Sequence, residues 1–203
     1  IRVDGDVADD IVLTAAAGMS VHGELFAIDE IRLTANHDIA AKGTIAAGQN
    51  LNILAGFDGS GSVFGDIFTS LSTFNGGNLA VTSGANAGHI DLTNSTLATI
   101  GALSLSAPVG AITHGGGLMN AGTLNVNALS GFSANAAIGV VNIILTGAGD
   151  VILSNQGDLL LTGAALPNGR LLVFNVGAID VRNVALNGGG DEDDFALTTL
   201  ASV

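Results

Sequence analysis

The amino-acid sequence predicts an all-β fold in which short strands stack as the coils of a parallel β-helix, or β-solenoid. Three observations predict it: strand-like segments recur about every 20 residues, apolar and polar residues alternate within each segment, and the apolar residues are mostly small aliphatics. Repetition at a fixed period of this size is the sequence signature of repeat architectures. Alternation with period two buries one face of a strand and exposes the other.

The repeat is clearest near the start of the chain. Residues 10–15 (DIVLTA) recur as residues 30–35 (EIRLTA) and as residues 50–55 (NLNILA), with a step of 20 residues each time. Two glycines, Gly23 and Gly43, follow the same step, and we expect both at turns that need unusual backbone dihedral angles. We expect small residues at the corners of the coil, namely Ala15, Ala35 and Ala55.

The later part of the chain divides into further strands and two irregular segments. Residues 57–77 are rich in Gly, Ser, Asp and Phe and are predicted to form a lengthened turn or a loop that leaves the coil. We therefore predict a β-solenoid over residues 1–187 with a loop excursion near 57–77. Residues 188–203 are predicted to be a linker rich in Gly and acidic residues, followed by a C-terminal strand or cap. The strand pattern returns at 78–83, 102–106, 123–127, 142–146, 150–153, 158–162 and 170–174.

The composition favours a narrow and regular interior. Hydrophobic residues make up 48% of the 203 residues, but aromatic residues only 4%, and every aromatic residue is Phe. A globular core usually contains larger rings that fill irregular space. A core of Ala, Val, Ile and Leu instead suits an interior whose cross-section repeats along an axis.

The charge balance excludes some partners. The chain has 18 acidic and 5 basic residues, for a formal net charge of −13. Such a chain has no electrostatic attraction to nucleic acid or to an anionic membrane surface. Apolar runs are interrupted every few residues, so neither a transmembrane helix nor membrane insertion is expected. The absence of Cys excludes disulfides and thiolate metal sites.

An antiparallel β-sandwich is the alternative fold. Hairpins of such a fold prefer Asn-Gly and Asp-Gly turns, and five of these dipeptides occur in the chain. Most of them lie outside the regular repeat, whereas the fixed period has no explanation in a sandwich. The period therefore favours the solenoid.

The repeat resembles that of a known family. Units of the type [D/E/N]-[I/L]-x-[L/I]-x-A, together with residues 40–45 (AAKGTI) and 166–174 (LPNGRLLVF), are similar to filamentous-haemagglutinin-like repeats. These repeats belong to exoproteins of bacterial two-partner secretion and to related giant adhesins. The resemblance implies a right-handed parallel β-helix, export across a Gram-negative envelope and a role at the bacterial cell surface.

A second, local resemblance concerns residues 188–195 (GGGDEDDF), which are similar to the Gly- and Asp-rich nonapeptide of RTX-type calcium-binding β-rolls. It implies Ca²⁺ as a ligand of Asp191, Asp193 and Asp194. The chain contains one copy of this segment, whereas the family shares each ion between tandem copies. A solvated acidic linker without a metal is the alternative interpretation. No other cofactor is expected.

The two ends of the sequence suggest self-association. An open solenoid end exposes unpaired backbone that must be covered. We expect head-to-tail stacking through an interface formed by Ile1, Val3, Phe195, Leu197 and Leu200. Residues 92–149 contain no Asp, Glu, Lys or Arg, so lateral packing of rods through an uncharged flank is a further expectation.

Three functions remain open from the sequence. The first is an extracellular structural or adhesive surface fibre without catalytic residues. The second is an adhesin module that binds host or matrix glycans through the loop at 57–77, which contains four of the eight Phe residues. The third is a carbohydrate-active β-helix enzyme, which requires carboxylates grouped on one exposed strand face. The small basic content and the lack of Trp and Tyr disfavour the third, so we expect no enzymatic activity.

Overall fold

The computed structural model describes residues 10–55, 67–69, 73–76, 78–83, 88–187 and 195–200, and these residues form strands and turns without a helix. Nowhere in these ranges, therefore, is there a helix long and apolar enough to cross a membrane. In chain order the strands are β1 (Ile11–Ala15), β2 (Met19–Ala27), β3 (Glu30–Ala35), β4 (Ile39–Ala47), β5 (Asn50–Leu54), β6 (Ile67–Thr69), β7 (Thr73–Gly76), β8 (Asn78–Thr82), β9 (Ile90–Asp91), β10 (Thr96–Thr99), β11 (Ala102–Ala107), β12 (Ile112–Thr113), β13 (Met119–Ala128), β14 (Phe132–Leu145), β15 (Val151–Gln156), β16 (Leu159–Leu166), β17 (Leu171–Val176), β18 (Ile179–Val181), β19 (Val184–Leu186) and β20 (Phe195–Leu200).

The strands pair in parallel and form three ladders that run along one axis. The first ladder contains β1, β3, β5, β8, β11, the ends of β13, β14 and β16, and β19. The second contains the start of β2 and of β4, then β6, β9, β12, the start of β14, β15, β17 and β20. The third contains the ends of β2 and β4, then β7, β10, the start of β13, the middle of β14, the start of β16 and β18.

This arrangement is a β-solenoid of about eight turns with equivalent strands about 20 residues apart. The predicted all-β fold, the parallel pairing and the period are therefore confirmed. The period read from residues 10–15, 30–35 and 50–55 is also the register, because Ile11 pairs with Ile31 and Ile31 with Leu51.

The core is a set of columns of aliphatic side chains that point into the solenoid. One column of the first ladder runs Ile11, Ile31, Leu51, Leu79, Leu103, Leu124, Val141 and Leu161. Every member is at most 4% exposed. Burying a side chain of this size stabilises the fold by roughly 1.5–3 kcal/mol relative to leaving it exposed. Each coil therefore contributes its own share of core, and the total is distributed along the rod.

Glycine allows the tight stacking of turns. Gly23 and Gly43 have φ angles of +97° and +130°, which confirms the prediction of unusual dihedral angles at these turns. A Cβ atom on Gly43 would lie 2.0 Å from the carbonyl oxygen of Gly23 in the neighbouring coil. No side chain fits into that space, so the position needs Gly for two separate reasons.

Several aspartates connect neighbouring coils. The Oδ1 atom of Asp10 accepts a hydrogen bond from the backbone N–H of Glu30 at 3.1 Å. The corresponding bonds from Arg170 N–H to Asp150 and from Ala178 N–H to Asp158 are each 2.9 Å long. Donor and acceptor are 20 residues apart in all these pairs, so each carboxylate satisfies a backbone donor of the adjacent coil where a strand begins.

Part of the predicted loop excursion at 57–77 contains strands. β6 pairs with β4 and β9, while β7 pairs with β4 and β10. These two strands therefore carry the second and third ladders through this part of the chain. The other residues of the range, and residues 188–194 of the predicted linker, lie outside the described part of the chain.

Candidate interaction surface

The outer face of the second ladder carries exposed apolar side chains in its last coils. β14, β15, β17 and β20 place Asn135, Ser154, Phe174 and Thr198 in one column, because these residues pair in register. Since strand residues alternate in direction, this column points outward, and Phe174 is 48% exposed. A second outward column lies two residues further along and consists of Gln156, Val176 and Leu200.

The two columns form one side of a cleft of about 430 Å³ at the corner between the second and third ladders. The turn before β13 lines it with Gly116, Gly117 and Leu118. This turn lies tightly against the preceding coil, because a Cβ atom on Gly117 would lie 1.8 Å from the carbonyl oxygen of Ser95. A turn without side chains at these positions leaves the space beside Leu118 open.

The floor of the cleft is held by two buried asparagines. Asn155 and Asn175 are each 2% exposed and lie in adjacent coils. The Nδ2 atom of Asn155 donates to Oδ1 of Asn175 at 2.9 Å, and Nδ2 of Asn175 donates to the carbonyl oxygen of Ala178 at 3.1 Å. The Oδ1 atom of Asn155 accepts from the backbone N–H of Ile138 at 2.8 Å. The pair therefore connects three successive coils.

Sequence reasoning did not single out these asparagines. A signal was present, because Asn155-Gln156-Gly157 returns 20 residues later as Asn175-Val176-Gly177. Both glycines have positive φ, +99° and +140°, so the motif marks a corner that turns sharply after a buried Asn. An Asn side chain suits this corner because its amide supplies both a donor and an acceptor to backbone groups of the turn.

The structure places the predicted interface residues of the C-terminal strand at two locations. Phe195 and Leu197 pair with Leu171 and Val173, so they occupy inward positions at the end of the core. They are nevertheless 44% and 38% exposed. Leu200 lies on the outward side, is 63% exposed and lines the cleft. Ile1 and Val3 lie outside the described residues.

The predicted calcium ligands Asp191, Asp193 and Asp194 also lie outside the described residues. Within the described ranges, no group of three or more His, Cys, Asp or Glu side chains could hold a metal ion. Carboxylates here engage the backbone or Arg instead. Asp150 receives the Arg170 guanidinium, with Nε 3.1 Å from Oδ2, and the bonds from Arg170 hold the pKa of Asp150 below its usual value.

The described residues therefore define the class of a parallel β-solenoid protein with a cleft on its outer face. No protein-family model, no curated protein and no solved structure matches the chain.

Proposed function

We propose that this chain is a segment of an extracellular structural or adhesive fibre in which β-solenoid rods associate end to end. The observation that carries the proposal is the exposure of Phe195 and Leu197 at positions that are buried in every preceding coil of the second ladder from β14 onward. Their equivalents, Leu171 and Val173, are at most 1% exposed.

An end of this kind favours association for two physical reasons. The exposed rings and aliphatic side chains gain free energy when they are removed from water. In addition, β20 pairs with β17 on one edge, and none of the other described strands pairs with its second edge. Unpaired strand edges are templates for further strands. Another coil in the same register satisfies both requirements at once.

The net charge of −13 opposes association, because like-charged rods repel each other. Cations reduce this repulsion, and Ca²⁺ in particular binds carboxylate oxygens. We include Asp191, Asp193 and Asp194 as residues through which Ca²⁺ strengthens the contact between rods. The filamentous-haemagglutinin-like repeat pattern supports a location at the bacterial cell surface. No catalytic role is part of the proposal.

Electron microscopy of the purified chain with and without millimolar Ca²⁺ tests this function. Eight coils at about 4.8 Å spacing make a rod of about 40 Å, so we expect filaments whose axial repeat is near that length. The double variant Phe195→Asp with Leu197→Asp should abolish filaments. The matched control, Phe26→Asp with Ile144→Asp, changes two outward-facing exposed residues and should retain them.

The outcome that contradicts the proposal is a population of isolated short rods in both conditions for the unmodified chain. Filaments that survive the double variant would also contradict it, because association would then use another surface. Filaments that form equally with and without Ca²⁺ would remove the acidic segment from the contact while leaving end-to-end stacking intact.

A further inference from the structure

The cleft at the corner of the second and third ladders has a direction. Its outward column runs through Leu118, Asn135, Ser154, Phe174 and Thr198, which come from five successive coils. Four steps of about 4.8 Å give a length of about 19 Å along the rod. The cleft is therefore elongated, lies parallel to the rod axis and crosses the strands at right angles.

The lining combines a flat apolar group with polar groups that the protein does not use. Phe174 lies near the middle of the column and exposes about half of its surface. The side chains of Asn135, Ser154 and Gln156 make no hydrogen bond to any other described residue of the chain, whereas the buried Asn155 and Asn175 are fully engaged with each other and with the backbone. The outer amides and the hydroxyl provide both donors and acceptors.

The cleft contains no charged side chain. None of the residues that line it is Asp, Glu, Lys or Arg. A cation would find no carboxylate there, and an acidic ligand would find no Arg or Lys and would meet the repulsion of a net charge of −13. Charge complementarity therefore selects an uncharged ligand.

The direction of the cleft disfavours a peptide strand. Extended peptides bind sheets by adding to an edge, where backbone N–H and C=O groups are free. The strands under the cleft, β14, β15 and β17, are paired on both edges within the ladder. A peptide lying across them would place its own amides against side chains that can satisfy only a few of them.

We propose that this cleft binds an uncharged oligosaccharide that lies along the rod axis. The apolar C–H face of one sugar ring packs on Phe174, and sugar hydroxyls exchange hydrogen bonds with the amides of Asn135 and Gln156 and with Ser154. The hydrogen-bonded pair of Asn155 and Asn175 keeps the floor rigid, so little ordering of the protein is needed on binding. This site is separate from the strand end that carries fibre assembly, apart from Leu200 at its rim.

Titration of the full chain with neutral hexasaccharides of glucose, galactose, mannose and N-acetylglucosamine, followed by NMR or calorimetry, tests the proposal. A uronic-acid hexasaccharide serves as the acidic counterpart of equal length. We expect saturable binding of at least one neutral chain and none of the acidic one. Phe174→Ala should weaken the affinity by about tenfold or more, as truncation of a central aromatic contact does.

Phe26→Ala is the matched control, because Phe26 is a similarly exposed Phe on an outward face far along the chain. It should leave the affinity unchanged. Failure of the whole neutral panel, equal binding of the acidic chain, or an affinity insensitive to Phe174→Ala would overturn the proposal. If Phe174→Ala changes only the association state in sedimentation, the cleft is instead a contact between copies, and the saccharide site is wrong. Filament formation by Phe174→Ala, followed by electron microscopy, separates this result from a failure of the fibre proposal.

Discussion

His114 occupies a column that neighbouring coils fill with aliphatic side chains. It directly follows Thr113, which pairs with Asp91 and Ser133, so His114 lies between Leu92 and Ala134. The ring is 3% exposed, and its Nε2 atom lies 2.8 Å from the carbonyl oxygen of Ser95. Its Nδ1 atom is buried without a hydrogen-bond partner. Nε2 therefore carries the proton, and the neutral ring is the form that suits this site.

The first prediction concerns pH. Burial lowers the pKa of His114 below the ordinary value of 6.5. The unfolded chain therefore binds a proton at a higher pH than the folded chain does. Stability is unaffected by this group above pH 6.5 and falls as the pH drops below that value, with a slope of at most about 1.4 kcal/mol per pH unit. Urea unfolding at a series of pH values between neutral and mildly acidic conditions measures the slope.

The variant His114→Leu provides the comparison, because it matches the aliphatic residues of the column and cannot titrate. We expect it to be at least as stable as the unmodified chain near neutral pH and less sensitive to acid. Identical pH profiles for both chains would show that His114 is protonated without cost, contrary to its burial.

The second prediction concerns Asn155. Truncation to Ala leaves the backbone N–H of Ile138 and the amide oxygen of Asn175 buried without their partner. Each orphaned group costs about 1–3 kcal/mol, so we expect a loss of about 2–4 kcal/mol in the free energy of unfolding. Asn120→Ala, at an exposed outward position, should change it by less than about 0.5 kcal/mol. Equal effects of the two substitutions in chemical denaturation would contradict the structural role of the asparagine pair.

At the scale of elements, strands followed from the sequence more readily than corners did. The repeats at 10–15, 30–35 and 50–55 predicted both the strand positions and their register, because identical apolar columns must align to share one core. The strands β6 and β7 were not anticipated within 57–77, since the segment lacks the alternation that marked the other strands. Turn length there differs from the regular repeat, so the period alone did not reach them.

The cleft was harder to predict for a related reason. Leu118, Ser154 and Phe174 share a column only because the corners between them have particular lengths and conformations. Spacings in this part of the chain depart from a constant value, so alignment by period does not superimpose these residues. The exposure of Phe195 and Leu197 was expected from their apolar pattern near an open end, but their pairing with β17 required the structure.

The third prediction tests the stacking of turns. Gly43→Ala places a methyl group 2.0 Å from a backbone carbonyl oxygen and forces a side chain into positive φ. We expect a loss of about 3 kcal/mol or more, or failure to fold, because a backbone atom cannot move aside without displacing its coil. Gly115→Ala meets nothing within 4 Å and needs no positive φ, so it should be neutral or slightly stabilising. Thermal unfolding of both variants decides the point, and a well-folded, stable Gly43→Ala chain would refute this account of the turn.

At the scale of the whole molecule, the solenoid is a one-dimensional stack. Each ladder pairing joins strands of neighbouring coils, and each coil adds similar side chains to a continuous core. Charge is distributed unevenly along this stack, since residues 92–149 have none while acidic residues occur on either side. The uncharged middle coils therefore bring no electrostatic repulsion to a lateral contact, whereas the remainder of the rod does.

A stack of this kind predicts how damage spreads. Leu124 is fully buried in the central part of the first ladder, between Leu103 and Val141. Leu124→Ala should cost about 2–5 kcal/mol, and because coils contact only their neighbours, most of the loss should fall on adjacent coils. In hydrogen exchange followed by mass spectrometry, we expect protection to fall first in β11, β13 and β14 and least in β2 and β3. Ile144→Ala, at an exposed outward position in the same region, should leave the exchange pattern unchanged. A uniform loss of protection along the rod would instead show that the eight turns unfold as a single unit, and stability would then not divide among the coils.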